Sequence, residues 1–486
     1  MATALALGLG AVVVGAAGAA VWRRPLAALY LFVVGLALHN LVMSLLWGAG
    51  VRGASLELVA AWKEILLAVA VARVAADAVR GRRLPFQPGP LDGLALTFAA
   101  LVLLYAVLPQ GPLGGRAGAS AVLHALRHDL VPVVAYLLGR SLGVTAAQLR
   151  SLAWTLLGTA AALAGFGLVE EYTVSVEWWQ RSGAVGYFRD QLGFHYRGPG
   201  GMPENFAFNT GHNQLFRRLI STFVSPLASG YLLVVSLLAA PLRRLALPLA
   251  TLAFAGLLFT ISRSALAGLV AGLAVLALAR RRLWPLAAAV AVVGAGIGFD
   301  HAYTHLAPRT HFLPAEIAAQ EANARRHPGA KNELLSGSEP SLTSHLANLR
   351  DGLRTVVHHP QGYGLGNAGA TAERFDVRLR AGESNYTEIG VETGLLGMVV
   401  FVAWSLALLV ALLRRARAAP PGPERDAAAG VAAAFAAVLV VCVQTDAYGI
   451  PWLGYCLWWL AGSLALAPVP ETAPAPRRAV VRAEGT

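Results

Sequence analysis

Residues 244–300 read RLALPLATLAFAGLLFTISRSALAGLVAGLAVLALARRRLWPLAAAVAVVGAGIGFD, three apolar runs separated only by a turn at Arg263 and by the basic cluster Arg280–Arg282. Each run approaches the ~20 apolar residues that a helix needs to cross the ~30 Å hydrocarbon core of a bilayer. Similar runs recur along the chain and predict about 13 membrane spans. The predicted spans are residues 2–22, 26–48, 55–79, 91–109, 119–139, 149–168, 222–240, 244–261, 264–280, 284–300, 386–413, 427–445 and 450–467.

The composition excludes a water-soluble protein. Of the 486 residues, 56% are hydrophobic and 13% are charged, whereas a soluble domain carries about twice that charge density. Lipid offers no hydrogen-bond partners. The N–H and C=O groups of each span must therefore bond to one another, as they do in a helix. We therefore predict an all-α integral membrane protein, a polytopic bundle of about 12–13 transmembrane helices with two long extracytoplasmic loops.

The positive charge indicates the orientation of the chain. The net charge is +13, and Lys63 and Lys331 are the only lysines. Such a balance can indicate a nucleic-acid partner. However, most arginines fall in every second loop between the predicted spans, so these loops all lie on one side of the membrane, which is the positive-inside pattern of cytoplasmic loops. We therefore expect no nucleic-acid partner. These loops carry Arg23–Arg24, Arg80–Arg83, Arg140 with Arg150, Arg243–Arg244, Arg280–Arg282, Arg414–Arg417 and Arg477–Arg482.

This orientation places two long polar segments outside, at about residues 170–216 and 301–385. Long loops tend to be functional. The second contains PAEIAAQEANARRH (314–327), whose helical composition predicts a small extracytoplasmic cap. We expect residues 1–469 to form the transmembrane domain and the Pro/Ala-rich residues 470–486 to form a disordered cytoplasmic tail. The two cysteines lie in apolar runs and no metal-site spacing is present, so neither a metal nor a cofactor is expected.

Arginines that fall on the outer side are the first candidates for chemistry. Arg217 and Arg218 precede the seventh span, where an arginine can simply anchor the helix at the interface. Arg263 lies in a turn of about three residues, where it cannot serve as a cytoplasmic topology signal. A guanidinium stays charged in any environment and binds phosphate oxygens with two hydrogen bonds.

Two outer motifs follow the second long loop. HHPQGYGLGNAG (358–369) is rich in glycine, which favours a tight turn against another surface; its structural role is the simpler interpretation, with His359 as a possible substrate contact. GESNYTEIGVETGLLG (382–397) carries Glu383 just before a span and Glu388 with Glu392 one helical turn apart inside it. Ionisable groups within a span are functional candidates.

Charges inside earlier spans extend this pattern, because Lys63 and Arg127 lie at similar predicted depth and are expected to face a shared cavity that opens outward. A polyprenyl-pyrophosphate donor fits such a cavity: cations would bind its diphosphate and stabilise it as a leaving group. A carboxylate would take the proton of an acceptor hydroxyl. Together these groups predict glycosyl transfer without a metal ion.

The motifs, taken in order, resemble those of the O-antigen ligase and O-antigen polymerase superfamily of bacterial membrane glycosyltransferases. RRLISTFVSP resembles its arginine segment at the start of a span, and TISRSALAG resembles its Ser-Arg turn. HHPQGYGLGNAG and ESNYTEIGVETGLLG resemble the segments that end its large outer loop. The resemblance covers about residues 120–400 and implies an inverting, GT-C-like enzyme of the bacterial inner membrane whose active site faces the periplasm.

The resemblance also implies residue roles. Arg218 (or Arg217) and Arg263 would bind the lipid diphosphate. Glu383 stands where the ligases carry a histidine base, so it would act as the base or orient the acceptor, and Ser384 after it favours polymerase over ligase. The predicted catalytic residues are Glu383, Arg263 and Arg218, and the predicted substrate-binding residues are Arg217, Lys63, Arg127, His359, Tyr386 and Glu388.

The implied partners are a polyprenyl-pyrophosphate-linked oligosaccharide donor, an acceptor that is either a lipid-linked glycan or lipid A-core, and membrane lipids. A chain-length regulator is a further candidate partner. A lipid-linked oligosaccharide transporter is the main alternative of another class. It is disfavoured because the chain shows no internal repeat and its polar residues cluster outside rather than at the midplane. A peptidoglycan-type polymerase is also considered, but its outer-loop motif is not recognised here.

Overall fold

The computed structural model describes residues 2–196, 198–209, 215–241, 243–310, 340–378 and 384–465, with isolated residues between 318 and 325. Glu383, the tail 470–486 and most of the predicted cap at 314–327 lie outside the described residues. The helices are α1 Ala2–Arg23, α2 Ala27–Gly48, α3 Ala54–Ala60, α4 Trp62–Gly81, α5 Pro90–Val107, α6 Gln110–Leu113, α7 Ala119–Ser141, α8 Ala146–Thr173, α9 Val176–Arg181, α10 Ala184–Gly186, α11 Pro226–Leu238, α12 Leu247–Phe259, α13 Arg263–Arg280, α14 Trp284–Leu306, α15 Pro340–His358, α16 Gly369–Arg374, α17 Asn385–Ala418, α18 Pro423–Val441 and α19 Trp458–Leu464.

The predicted all-α polytopic class is confirmed. Within the described residues, eight helices are long and apolar enough to cross a membrane: α1, α2, α5, α7, α8, α13, α14 and α17. The shorter apolar helices Pro226–Leu238, Arg244–Phe259 and Leu453–Leu464 occupy three more of the predicted spans. The chain is therefore a multi-pass membrane protein.

In the structure, the third predicted span is broken and the seventh starts later than predicted. The third, predicted as residues 55–79, is broken at Ala61 into α3 and α4, and Lys63 Nζ donates to the carbonyl of Ala60 (2.9 Å) at the break. The seventh begins only at Pro226, because Ser225 caps α11 by accepting from Ala228 N. The break in the third span and the late start of the seventh both leave polar groups at one end of the bundle.

A small antiparallel sheet follows α10. Its strands are β1 Ala207–Asn209, β2 Leu215–Arg217 and β3 Arg309–Thr310, in the order β1-β2-β3, with Phe208 opposite Phe216 and Phe216 opposite Arg309. β3 follows α14 directly. The sheet therefore ties the first predicted outer loop to the start of the second.

The core lies where α17, α18 and the C-terminal helix meet. Trp404 stacks on Trp458 at 4.3 Å between ring centroids, and Phe435 meets Trp458 edge-on at 5.0 Å. On the other side of α18, Gly268 and Gly272 of α13 face the backbone carbonyls of Ala437 and Ala433. Small residues allow helix backbones to approach closely where lipid gives no hydrophobic driving force between helices.

The arginine-rich turns meet at one end of the bundle. Arg280 Nη2 lies 3.2 Å from Asp426 Oδ1, and Arg417 donates to the carbonyl of Leu278 (3.2 Å). Lys63 opens α4 and Arg127 lies in the first half of α7, whereas the arginines of these helices at the opposite end include Arg140. The charges singled out by sequence therefore lie at the end opposite the arginine-rich turns.

Asp92 is fully buried near the arginine-rich end and accepts from Tyr136 Oη (2.7 Å), Arg140 Nε (3.0 Å) and Gly89 N (2.8 Å). Removing one partner of a buried pair leaves the other charge unpaired. We expect Asp92→Ala to lower the free energy of unfolding by about 3 kcal/mol, measured by denaturant titration in mixed micelles.

The matched control is Asp77→Ala, which breaks an ion pair with Arg73 in which the Asp77 side chain is 51% exposed. Its expected effect is at most about 0.5 kcal/mol. Equal losses in the two variants would contradict the structural role of Asp92.

Candidate active site

A cavity of about 540 Å³ opens among the helix ends opposite the arginine-rich turns. Its walls come from the C-terminal half of α2, the break between α3 and α4, the first half of α7, and the segments 187–196, 370–374 and 446–455. Because these segments lie far apart in sequence, only the folded bundle forms the cavity.

Lys63 and Arg127 both line this cavity, in agreement with the prediction that they share one. Glu64 lies between them, with Oε2 3.5 Å from Lys63 Nζ and Oε1 3.2 Å from Arg127 Nη1. Lys63 is buried, whereas the Arg127 side chain is 47% exposed. Arg127 is therefore the cation of this pair that a ligand can reach.

Arg374, at the end of α16, is a third cation in the cavity wall. Burial lowers the pKa of Arg374, and the charge of Arg127 nearby lowers it further. Arg374 forms no ion pair with a carboxylate among the described residues. An anion bound between Arg127 and Arg374 would relieve their mutual repulsion.

His128 and Asp446 form the polar floor of the cavity. His128 Nδ1 lies 2.8 Å from Asp129 Oδ1, and His128 Nε2 lies 3.2 Å from Asp446 Oδ1. The amide of Asn385 donates to the same Asp446 oxygen (2.5 Å). Burial raises the pKa of Asp446, but the contact with His128 outweighs burial, so the pKa lies below its ordinary value.

Apolar side chains complete the walls. The lining includes Leu36, Val131, Phe188, Phe223 and Trp452. A site that combines cations with an apolar surface suits a ligand with a charged head and a hydrocarbon chain.

Arg217 lies outside the cavity and joins β2 to the C-terminal end of α8. Its guanidinium pairs with Glu170 of α8 and donates to the carbonyls of Glu171 (3.2 Å) and Val174. Glu170 also accepts from the indole N–H of Trp179 (2.5 Å). With the Arg217 side chain only 4% exposed, these contacts occupy it in the folded protein.

Arg218 and Arg263 come together at the turn between α12 and α13. Arg218 donates from Nε to the carbonyl of Thr260 (2.8 Å) and from Nη2 to that of Ile261 (3.2 Å). Burial, together with the nearby charge of Arg263, lowers the pKa of Arg218 to about 10, so it stays protonated at neutral pH. Neither residue lines the cavity.

A chain of hydroxyl groups links this turn to the cavity floor. Ser262 Oγ lies 3.1 Å from Ser264 Oγ, and Ser264 Oγ lies 2.9 Å from Tyr231 Oη. Tyr231 Oη in turn lies 3.5 Å from Thr445 Oγ1, one residue before Asp446. The Ser-Arg-Ser turn and the cavity floor are thus parts of one polar network.

The glycine-rich segment packs against α17. Gly364 N donates to the carbonyl of Glu392 (3.0 Å), and Gly366 N donates to its carboxylate (2.8 Å). Gly394 interrupts α17 with φ +75°, and a Cβ there would lie 2.4 Å from the carbonyl oxygen of Pro360. His359 stacks on the Tyr363 ring at 3.9 Å and lies outside the cavity. The segment thus has a structural role, and its glycines permit the close approach.

Glu388 and Tyr386 also lie beside the cavity rather than in its wall. Tyr386 Oη donates to the carbonyl of Leu439 (2.9 Å). Glu388 is 3% exposed, and its carboxylate lies so close to Gly369 that a Cβ there would come within 2.0 Å. Of the residues predicted to bind substrate, the cavity wall therefore contains Lys63 and Arg127.

The sequence-based analysis missed Arg374 and Asp446. Arg374 belongs to an isolated polar stretch that resembles no motif. Asp446 lies in the polar residues 444–449 between two apolar runs, and this carboxylate between spans was the available sign of a functional group.

Comparison with known protein families gives one match. Residues 248–402 match the Wzy_C family, described as O-antigen ligase, from within α12 to within α17. The matched region contains Arg263, His359, Tyr386 and Glu388, as well as position 383. A comparison with curated proteins gives no match.

The family supports a membrane enzyme of the ligase or glycosyltransferase type with a role in O-antigen assembly. It confirms the resemblance that the motifs indicated. Residues 248–402 of this chain are thus similar to the O-antigen ligase family.

Proposed function

We propose that this protein is an inverting glycosyltransferase of the bacterial inner membrane that uses a polyprenyl-pyrophosphate-linked glycan as donor. The observation that carries the proposal is the cavity in which Arg127 and Arg374 approach each other beside an apolar wall. The diphosphate would bind between the two guanidiniums, and the polyprenyl chain would follow the apolar wall into the lipid. Arg263 and Arg218 lie outside the cavity wall, and from the neighbouring turn they would add positive charge near the same diphosphate.

The proposed reaction takes place on the outer face of the membrane. Arg280 and Arg417 lie with the arginine-rich turns at the other end of the bundle, and the positive-inside rule assigns that end to the cytoplasm. A donor carrying finished glycan units would reach the cavity from the outer leaflet. Membrane lipids surround the bundle and a chain-length regulator is a candidate partner.

The chemistry would need no metal ion. The acceptor hydroxyl attacks the anomeric carbon while the bond from that carbon to the diphosphate oxygen breaks. Side-chain cations stabilise the charge that develops on the leaving diphosphate, which is the task that a divalent ion performs in other phosphate chemistry. Addition of EDTA is therefore expected to leave the rate unchanged.

Polymerisation of O-antigen or exopolysaccharide repeats is the favoured reaction, because Glu383-Ser384 replaces the His-Asn pair common in ligases. Transfer to lipid A-core is the second candidate, favoured by the description of the matching family. The two differ in the acceptor and use the same donor.

A deletion strain of the native host distinguishes the two reactions. For a polymerase, long surface polysaccharide disappears from gels and single repeat units accumulate on the lipid carrier. For a ligase, long chains accumulate on the carrier and do not reach their final acceptor. Unchanged profiles in both fractions would overturn the proposed substrate class.

Arg374→Ala is expected to weaken binding of the lipid-linked donor by about 10- to 100-fold, because a charge-assisted hydrogen bond contributes about 1.5–3 kcal/mol. The measurement is the donor concentration dependence of transfer by purified protein in nanodiscs. Arg354→Ala is the matched control, since Arg354 is an exposed arginine of α15 outside the cavity. Equal donor dependence in the two variants would contradict a diphosphate site at Arg374.

Arg263→Ala and Arg218→Ala are each expected to abolish transfer while the protein remains folded, as judged by monodisperse elution in detergent. Arg218→Lys separates two explanations for Arg218. Lysine keeps the charge but loses the planar fork that contacts two carbonyls. Partial activity of the lysine variant indicates a diphosphate contact, and an inactive, folded lysine variant indicates that Arg218 shapes the turn. Full activity of both alanine variants would exclude these arginines from the site.

A further inference from the structure

Asp446 is held in the cavity floor by three hydrogen bonds to one oxygen. Oδ1 accepts from Asn385 Nδ2 (2.5 Å), Gly449 N (2.8 Å) and His128 Nε2 (3.2 Å). Among the described residues, no hydrogen bond to Oδ2 accompanies these three, and the side chain remains 11% exposed where it lines the cavity. One oxygen thus fixes the carboxylate while the other stays available.

His128 keeps this carboxylate ionised. Its two ring nitrogens face Asp129 and Asp446 respectively, and ionised carboxylates only accept hydrogen bonds. When the imidazole is protonated, both nitrogens can donate to these carboxylates. A cation fixed 3.2 Å from Asp446 favours its charged form, although Glu388 in α17 adds opposing negative charge.

The turn that carries Asp446 is anchored from both sides. Asn385 accepts through Oδ1 from Ala447 N (2.7 Å), and Ser384 Oγ donates to the carbonyl of Cys442 (3.1 Å). Tyr231 contacts Thr445 from α11. These contacts hold the carboxylate in one position, and a general base must be positioned within reach of the proton that it takes.

We propose that Asp446 is the general base of the glycosyl transfer, with Asn385 and His128 as its positioning residues. This proposal rests on the proposed function. The acceptor hydroxyl gives its proton to Asp446 Oδ2 as its oxygen forms the bond to the anomeric carbon, and the diphosphate leaves with the electron pair of the broken bond.

The test uses the purified full-length protein in nanodiscs with lipid-linked repeats extracted from the deletion strain. Asp446→Asn keeps the shape of the side chain and removes the base. Its kcat is expected to fall by about 100-fold or more, with little change in donor KM. The matched control is Asp426→Asn at the arginine-rich end, which is expected to keep wild-type kcat.

Chemical rescue separates a base from a structural residue. Asp446→Ala leaves room for a small carboxylate, so added formate is expected to restore part of its turnover and to leave Asp446→Asn unchanged. If the alanine variant does not fold, the folded asparagine variant provides the test: a lower kcat with an unchanged donor KM indicates that Asp446 is the base.

Wild-type kcat in Asp446→Asn would overturn the assignment, as would a folded alanine variant that formate does not rescue. If the wild-type protein transfers glycan and Arg374→Ala weakens donor binding while the Asp446 variants turn over normally, only the assignment of the base fails. If the wild-type protein forms no product from lipid-linked donor, the proposed function and this assignment both fail.

Discussion

The line of contacts from Asp129 through His128 to Asp446 is the interaction on which the cavity end of the bundle depends. Two carboxylates and an imidazole in a membrane-embedded bundle are costly unless each offsets the charge of the next. His128 supplies the positive charge, and Asn385 adds a hydrogen bond from α17. The start of α17, the middle of α7 and the turn before the C-terminal helix are fixed together by these contacts.

The other buried charges are also offset by neighbouring groups. Arg217 is compensated by Glu170 and by backbone carbonyls, and Asp92 by Arg140 and Tyr136. Each of these charges is paired within the fold, and none of these side chains lines the cavity. Arg374 differs, because the like charge of Arg127 acts on it more strongly than the opposite charge of Glu57. The positive charge of Arg374 is therefore incompletely offset, and this distinguishes the cavity from the structural ion pairs.

The motifs that indicated the family and the side chains that line the cavity are largely different residues. The glycine-rich segment and Glu392 form the backbone contact between the outer loop and α17, so their role is to position this helix. Arg218 performs a similar task for the turn that carries Arg263. The matched region, residues 248–402, thus includes much of the scaffold, whereas Lys63, Arg127 and Asp446 come from outside it.

The sequence alone determined the membrane class, because apolar runs of this length can only be solvated by lipid, and it indicated the superfamily through the order of its motifs. It also predicted that Lys63 and Arg127 share a cavity, since depth along a helix can be counted in residues. Only the tertiary structure decided that Arg217 is an internal ion pair, that His359 stacks on Tyr363, and that Arg374 and Asp446 face the cavity. Rotation of each helix about its axis decides which charges meet, and that rotation is set by packing between helices that are distant in sequence.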